Sequence, residues 1–261
     1  MSSAQIQDIS LIRMAVCYLL FVISFLVICC YKLRLGKDAI ISTARMSIQL
    51  ILAGLVLKYI FKFNHWYVVL AILLIMLFFA AHTILGRTGI RLKKTFSLLF
   101  AAMFIGCGGT LVFFIFLVVR QTPWYDARYL IPLFGMIVGN SMNGCALALE
   151  RYYNGMKEKR DEIEAILSFG GTPGEASHEA FIKAFKASIL PTLAGMTGMG
   201  VVFLPGMMTG QILSGAEPLL AVKYQIAIML AILAAVTFSS FLILKFETRL
   251  LFNKRAQLID F

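Results

Sequence analysis

The stretch Trp66-Tyr-Val-Val-Leu-Ala-Ile-Leu-Leu-Ile-Met-Leu-Phe-Phe-Ala-Ala-His-Thr-Ile-Leu85 contains no Lys, Arg, Asp or Glu. Twenty residues of this kind, wound as a helix, reach about 30 Å, the thickness of a bilayer's hydrocarbon core. Comparable runs flank it on both sides, at Leu11–Tyr31, Ile40–Ile60, Thr95–Val119, Tyr129–Leu149, Ala187–Gln211 and Leu219–Leu244. With 60% hydrophobic and 14% charged residues over 261 positions, the chain has too little polar surface for a soluble domain of this size. The expectation is an all-α, polytopic integral membrane protein of about seven transmembrane helices, one transmembrane domain over residues 1–261, in the plasma or inner membrane. The first run is too long for a signal-peptide core, and the N-terminal segment before it lacks a positive n-region.

Orientation follows from the basic residues. One side of the membrane receives Lys32, Arg34 and Lys37, then Arg87, Arg91, Lys93 and Lys94, six between Arg151 and Lys186, and Lys245, Arg249, Lys254 and Arg255. The other receives only Arg13, Lys58, Lys62, Arg120, Arg128 and Lys223. Lys and Arg collect on the cytosolic side, which places the N-terminus outside and the C-terminus in the cytosol. The net charge of +11 is thereby explained without nucleic acid, since no basic face with interleaved aromatics is present. His65-Trp66-Tyr67 and Trp124-Tyr125 fall at the expected outer interface, where amphipathic aromatics favour the headgroup level. Cys17, Cys29, Cys30, Cys107 and Cys145 all lie in apolar runs without a CxxC pair, so neither a zinc site nor a disulfide framework is suggested.

Residues 150–186 form the one sizeable stretch off the membrane. A helix is expected near Gly155–Phe169, stopped by Gly170-Gly171, because glycine readily takes the left-handed geometry of a helix end. Thr172-Pro173-Gly174-Glu175 then reads as a capping box, with Thr172 as cap, Pro173 at the first helical position and Glu175 reaching back. The second helix should run through Phe181 and Phe185 into the sixth span. A helix pair continuous with a span suits either an ordered connection or a docking element for a cytosolic partner. Leu167-Ser168-Phe169-Gly170-Gly171 faintly resembles an ATPase signature, yet the chain has no phosphate-cradling P-loop and cannot hydrolyse nucleotide by itself.

Polar groups inside a bilayer are costly and point to function. Every Asp and Glu reads as a loop or span-edge residue, including Asp8, Asp38, Asp126, Glu150, Glu217, Glu247 and Asp260, so a carboxylate relay of the kind found in self-powered carriers is not expected. The polar groups that enter are Arg45 and Gln49, His82, and Asn140, Ser141 and Asn143. Arg45 either snorkels to the interface or lines a pathway. A lone His82 suits hydrogen-bonded structure better than metal ligation. Gly139-Asn-Ser-Met-Asn-Gly144, with Gly135 and Gly139 at GxxxG spacing, suits helix–helix contact and pathway lining alike. The sixth run, holding Pro191, Gly195, Gly198, Gly200, Pro205, Gly206 and Gly210, reads as a breakable helix. Its Met207 and Met208 are soft ligands or flexible filler.

Leu204-Pro-Gly-Met-Met-Thr-Gly-Gln-Ile-Leu-Ser-Gly215, with Glu217-Pro218 and Ala221-Val-Lys-Tyr-Gln-Ile226, closely resembles the FetB-type (YbbM-type) ABC permeases. Arg45, Gln49-Leu50, Gly135-Met-Ile-Val-Gly-Asn140 and Gly170-Gly-Thr-Pro173 with Ala176 look like further segments of that family. The resemblance implies the membrane subunit of an ABC transporter, associated with iron export in bacteria and aluminium tolerance in plants. It also implies a homodimer of permeases, a separate cytosolic ABC ATPase that binds the ATP, and no cofactor or catalytic residue on this chain. Gly170, Gly171, Thr172, Pro173 and Ala176 would then dock the ATPase. Arg45, Gln49, Asn140, Asn143, Pro205, Met207, Met208, Tyr224 and Gln225 would be candidate pathway residues, with no metal ligand assigned. The loop departs from the importer-permease pattern: Glu164, Ala165 and Gly170 have its spacing, but Ile189-Leu-Pro191 comes late.

Overall fold

The computed structural model describes residues 10–33, 35–63, 65–90, 94–253 and 257–259. Asp8, Arg34, Arg91, Lys93, Lys254, Arg255 and Asp260, used above for charge and orientation, lie outside them. The described chain is helical: α1 Leu11–Cys30, α2 Gly36–Phe63, α3 Trp66–Thr88, α4 Thr95–Val119, α5 Ala127–Glu158, α6 Arg160–Ser168, α7 Pro173–Ala176, α8 His178–Gly198, α9 Gly206–Leu213 and α10 Pro218–Leu251. Six of these (α1 to α5 and α10) are long and apolar enough to cross a membrane, so the chain is an all-α polytopic membrane protein. Only helices and closed barrels satisfy their own backbone groups in lipid, and the long apolar runs leave the helix as the sole option here.

The run expected as a sixth span is not one helix. It ends at Gly198 and resumes at Gly206. Gly200 takes φ +85°, open to glycine but not to most side chains. Pro205 has no N–H and disfavours helical geometry in the residue before it. The break satisfies part of its own backbone: Gly200 N–H donates to Phe203 O at 2.9 Å, and Val202 N–H to Gly198 O at 2.9 Å. Val201 and Val202 at its tip are 92% and 80% exposed.

Contacts divide the chain into two units, Met1–Phe63 with Leu213–Gly215, and Asn64–Ile212 with Ala216–Phe261. In the first, α1 and α2 form an antiparallel hairpin. Ser10 caps α1 by accepting from Arg13 N–H at 3.4 Å, and Tyr18 OH and Ser47 Oγ share a hydrogen bond of 2.6 Å across the pair. A Cβ on Gly36 would lie 3.5 Å from the Phe25 ring, which fits the close turn between them.

In the second unit α5 is the central post, packed by α3, α4, α8 and α10. Helices meet most closely where side chains are smallest. A Cβ at Gly106 would lie 2.8 Å from the Ser239 backbone nitrogen, and one at Gly144 would lie 2.8 Å from Val236 Cγ1 and 3.3 Å from Ser188 O. Of the GxxxG pair, a Cβ on Gly135 would meet the Met76 methyl at 3.3 Å and one on Gly139 would meet no described atom within 4 Å, so Gly144 rather than that pair makes the intimate crossing of α5. Helix α4 carries two π-helical segments, Phe104–Gly108 and Phe114–Val119, the second closed by Arg120 N–H donating to Ile115 O at 2.9 Å.

Candidate functional site

Residues 150–186 form a helix pair fastened to the ends of two long helices. Helix α5 continues past the expected span to Glu158 before a single-residue break at Lys159 starts α6. Gly170 takes φ +87° after α6. A Cβ on Gly171 would lie 2.6 Å from Ile166 Cγ2 and 2.9 Å from Ile166 O, so the turn requires glycine at both positions. The capping box is formed: Glu175 N–H donates to Thr172 Oγ1 at 3.3 Å, and Thr172 N–H donates to Glu175 Oε2 at 2.8 Å, with Pro173 at the start of α7. These bonds hold the Glu175 carboxyl below its ordinary range, because the Thr172 backbone and then its hydroxyl stabilise the charged form.

Buried Tyr152, Met156, Ile163, Ala176, Ala180, Leu244 and Leu251 form one cluster that ties the loop to α5, α8 and α10. An ionic clasp adds to it. Lys159 Nζ bonds Glu179 at 2.5 Å and Glu162 at 3.1 Å, while Lys183 bonds Glu179 at 2.7 Å. Lys159 and Lys183 lower the Glu179 carboxyl to about 2, and its carboxylate partners raise Lys159 in turn. At the tip, Phe169 is 93% exposed beside Gly170 and Gly171. The sequence reading passed over this residue. A phenyl group following a helical apolar stripe, yet placed one step before a glycine stop, was the available signal.

The candidate pathway residues lie on several helices. Arg45 and Gln49 are exposed on α2, and His82 is exposed on α3. Asn140 and Asn143 share one exposed face of α5, three residues apart. Asn140 Nδ2 donates back to Met136 O at 2.8 Å, and Asn143 Oδ1 accepts from Arg87 at 3.4 Å. That outward face separates them from buried Ser141, which belongs to the packing between α5 and its neighbours. Met207 and Met208 are half-buried on α9. The Pro205 carbonyl accepts from Thr209 N–H at 3.0 Å and from Thr209 Oγ1 at 3.1 Å. Tyr224 is half-buried, and buried Gln225 donates to Met199 Sδ at 3.9 Å with its own carbonyl oxygen unpartnered among the described residues. No hydrogen bond between described residues joins the asparagine pair to the Gln225–Met199 pair. Nor do the described residues hold three His, Cys, Asp or Glu grouped for a metal ion.

Glu247, read from the sequence as a span-edge residue, lies within α10, which runs on to Leu251, and is fully buried there. Its Oε2 accepts from Tyr153 OH at 2.5 Å, its Oε1 and the nearby Thr95 Oγ1 have no regular hydrogen-bond partner among the described residues, and next to it Tyr152 OH bonds Thr248 at 2.7 Å. The sequence held the signal, since Ser240, Ile243, Leu244, Glu247 and Leu251 recur at helical spacing on one stripe.

Comparison with known proteins fixes the lineage. The chain is 39% identical over 208 residues to the UPF0014 membrane protein YjkA of Bacillus subtilis, covering 78% of this chain and 80% of that one. It is 33% identical over 246 residues to the "Probable iron export permease protein FetB" of Escherichia coli, covering 94% and 93%. To the Protein ALUMINUM SENSITIVE 3 of Arabidopsis thaliana it is 31% identical over 210 residues, covering 80% and 75%. No solved structure matches. The profile of the Uncharacterised protein family UPF0014 matches residues 11–252, and with relatives of this identity and coverage the chain belongs to that family.

Proposed function

We propose that this chain is the membrane-spanning permease subunit of an ABC transporter that exports metal ions, iron first, with ATP hydrolysed by a separate cytosolic subunit. Similarity along 94% of the chain to the "Probable iron export permease protein FetB" is the observation that carries the reading. The capped helix pair supports it. A rigid turn at Gly170–Ala176, clasped to α5 and α10, can convert a push from outside the membrane into movement of both helices. Gly170, Gly171, Thr172, Pro173 and Ala176 are assigned to ATPase docking, with Phe169 at the centre of the contact. The N-terminus lies outside and the C-terminus in the cytosol, with α8 and α9 together making a broken seventh crossing.

Two copies of the permease, each a single domain over residues 1–261, assemble with two ATPase subunits. The outward amides of Asn140 and Asn143 are the best candidate pathway groups, since hard cations prefer oxygen ligands. Arg45, Gln49, Tyr224 and Gln225 are secondary candidates, and Met207 and Met208 serve as soft filler. A second reading, a self-contained carrier or channel, finds its one candidate group in Glu247, a buried carboxylate near the C-terminal end of α10. Proteoliposomes decide between them. Iron efflux that requires the ATPase and ATP supports the ABC permease, and equal flux from the purified chain alone supports the carrier.

A further inference from the structure

Between the start of α8 and the end of α10 lies a cavity of about 560 Å³. Its floor is aromatic. Phe181 and Phe241 meet edge to face with centroids 6.0 Å apart, and Phe252 is buried at the far end. Its rim is basic, formed by exposed His178, Lys245 and Arg249, while Pro173 and Gly174 close one wall. Lys245 Nζ stands 5.6 Å from the centre of the Phe241 ring.

The order of these groups along α10 matters. Phe241, Lys245 and Arg249 recur every four residues, so they share one helix face with steps of about 6 Å along the axis. Phe241 falls inside the apolar run Leu219–Leu244, and Lys245 is the first residue beyond it. The ring therefore sits at acyl-chain depth and the two cations at headgroup level. No carboxylate among the described residues pairs with His178, Lys245 or Arg249; neighbouring Glu247 is turned inward to Tyr153.

We propose that this cleft binds an anionic phospholipid, with the phosphate held by Lys245 and Arg249 and an acyl chain laid along Phe181 and Phe241. Arg offers a planar fork to phosphate oxygens and Lys a mobile point charge, and basic pockets between membrane helices select anionic headgroups. An acidic segment of a partner protein would satisfy the rim but leave the floor uncovered. That floor continues toward the membrane through Phe185, whose ring lies 6.0 Å from Phe241. A lipid covers both. Because Pro173 and Gly174 form the wall, the bound lipid also supports the back of the off-membrane turn.

The test measures lipid retained by the full-length chain, purified in neutral detergent and exchanged into mixed micelles of phosphatidylglycerol and phosphatidylcholine, by native mass spectrometry. The wild type should prefer phosphatidylglycerol by about twenty-five-fold, the product of two basic groups each contributing about fivefold. Lys245→Gln with Arg249→Gln should bring the preference near unity, and Lys223→Gln at the opposite end of α10 should keep it. Phe241→Ala should weaken retention of both lipids several-fold. Unfolding midpoints in lipid-free detergent identify variants that have lost the fold, and the two single substitutions replace the double one if it has. Free glycerol phosphate should not displace the lipid; displacement would make this a simple anion site and overturn the proposal. Full preference in the double or both single variants would overturn it as well, as would lost retention of a co-expressed ATPase with lipid selectivity unchanged.

Discussion

Tyr153 OH donates to Glu247 Oε2 at 2.5 Å, joining α5 to α10 through a carboxyl group that is fully buried. Removing one partner of such a bond leaves the other unsatisfied, which costs roughly 1–3 kcal/mol or more when the survivor carries charge. Tyr153→Phe should therefore lower stability by about that amount. Adding Glu247→Leu should restore most of the loss, because replacing both partners by apolar groups can be nearly neutral. Denaturant unfolding in micelles reads both effects. A double variant as unstable as the sum of the two singles would show that the pair is not coupled.

Glu179 provides a pH signature. Its folded carboxyl is lowered to about 2 from an ordinary 4.5 by Lys159 and Lys183, so its contribution is full above the ordinary value and fades as pH falls from there toward 2. The wild-type unfolding midpoint should drop across that window, and Glu179→Gln should flatten the drop. At pH 7, where the contribution is full, the substitution should lower the midpoint by the same modest amount, because exposed ion pairs are screened by solvent and salt.

The off-membrane turn calls for a probe that leaves its own geometry intact. Any side chain at Gly171 collides with Ile166, so Gly171→Glu would distort the turn whatever it contacts. Phe169→Glu changes an exposed group instead. That variant should insert and unfold like the wild type, yet no longer co-purify with the proposed ATPase. Normal retention together with unchanged ATP hydrolysis would remove Phe169 from the docking surface.

Orientation is open to chemical labelling. In a cysteine-free background, Glu217→Cys should react with an impermeant maleimide added to intact cells, and Gly174→Cys should react only after the membrane is opened. Reaction of Gly174→Cys in intact cells would reverse the topology argued from the basic loops.

Asn140 and Asn143 test the cargo. Both are exposed on α5, so replacing them with Leu should preserve helix packing and expression while removing their carbonyl acceptors. In an efflux-deficient host, the wild-type chain co-expressed with its ATPase should lower cell iron, and the double variant should not. Equal export by the variant would leave these amides without a transport role. A wild-type pair that leaves iron unchanged would remove the metal assignment.

Local order alone determined the helical membrane architecture and the capped turn. A slab of hydrocarbon about 30 Å thick leaves an apolar run no way to satisfy its backbone except internally, so runs such as Trp66–Leu85 are helices whatever surrounds them. Thr172, Pro173 and Glu175 cap within four residues, a distance over which sequence order is spatial order. Where the outcome depended on neighbours distant in the chain, only the tertiary structure decided it. Glu247 reads as a span-edge residue until α5 supplies Tyr153, 94 positions away, to partner it in the interior. The glycine- and proline-rich run could have been a weak continuous helix; it breaks at Gly198–Pro205, and Gln225, 26 positions from Met199, packs against the opened segment. Gly144 rather than the Gly135–Gly139 pair makes the close crossing, because Val236 and Ser188 stand opposite it. Helical periodicity fixes which residues share a face, but a neighbouring helix decides whether that face meets lipid, protein or a buried polar partner.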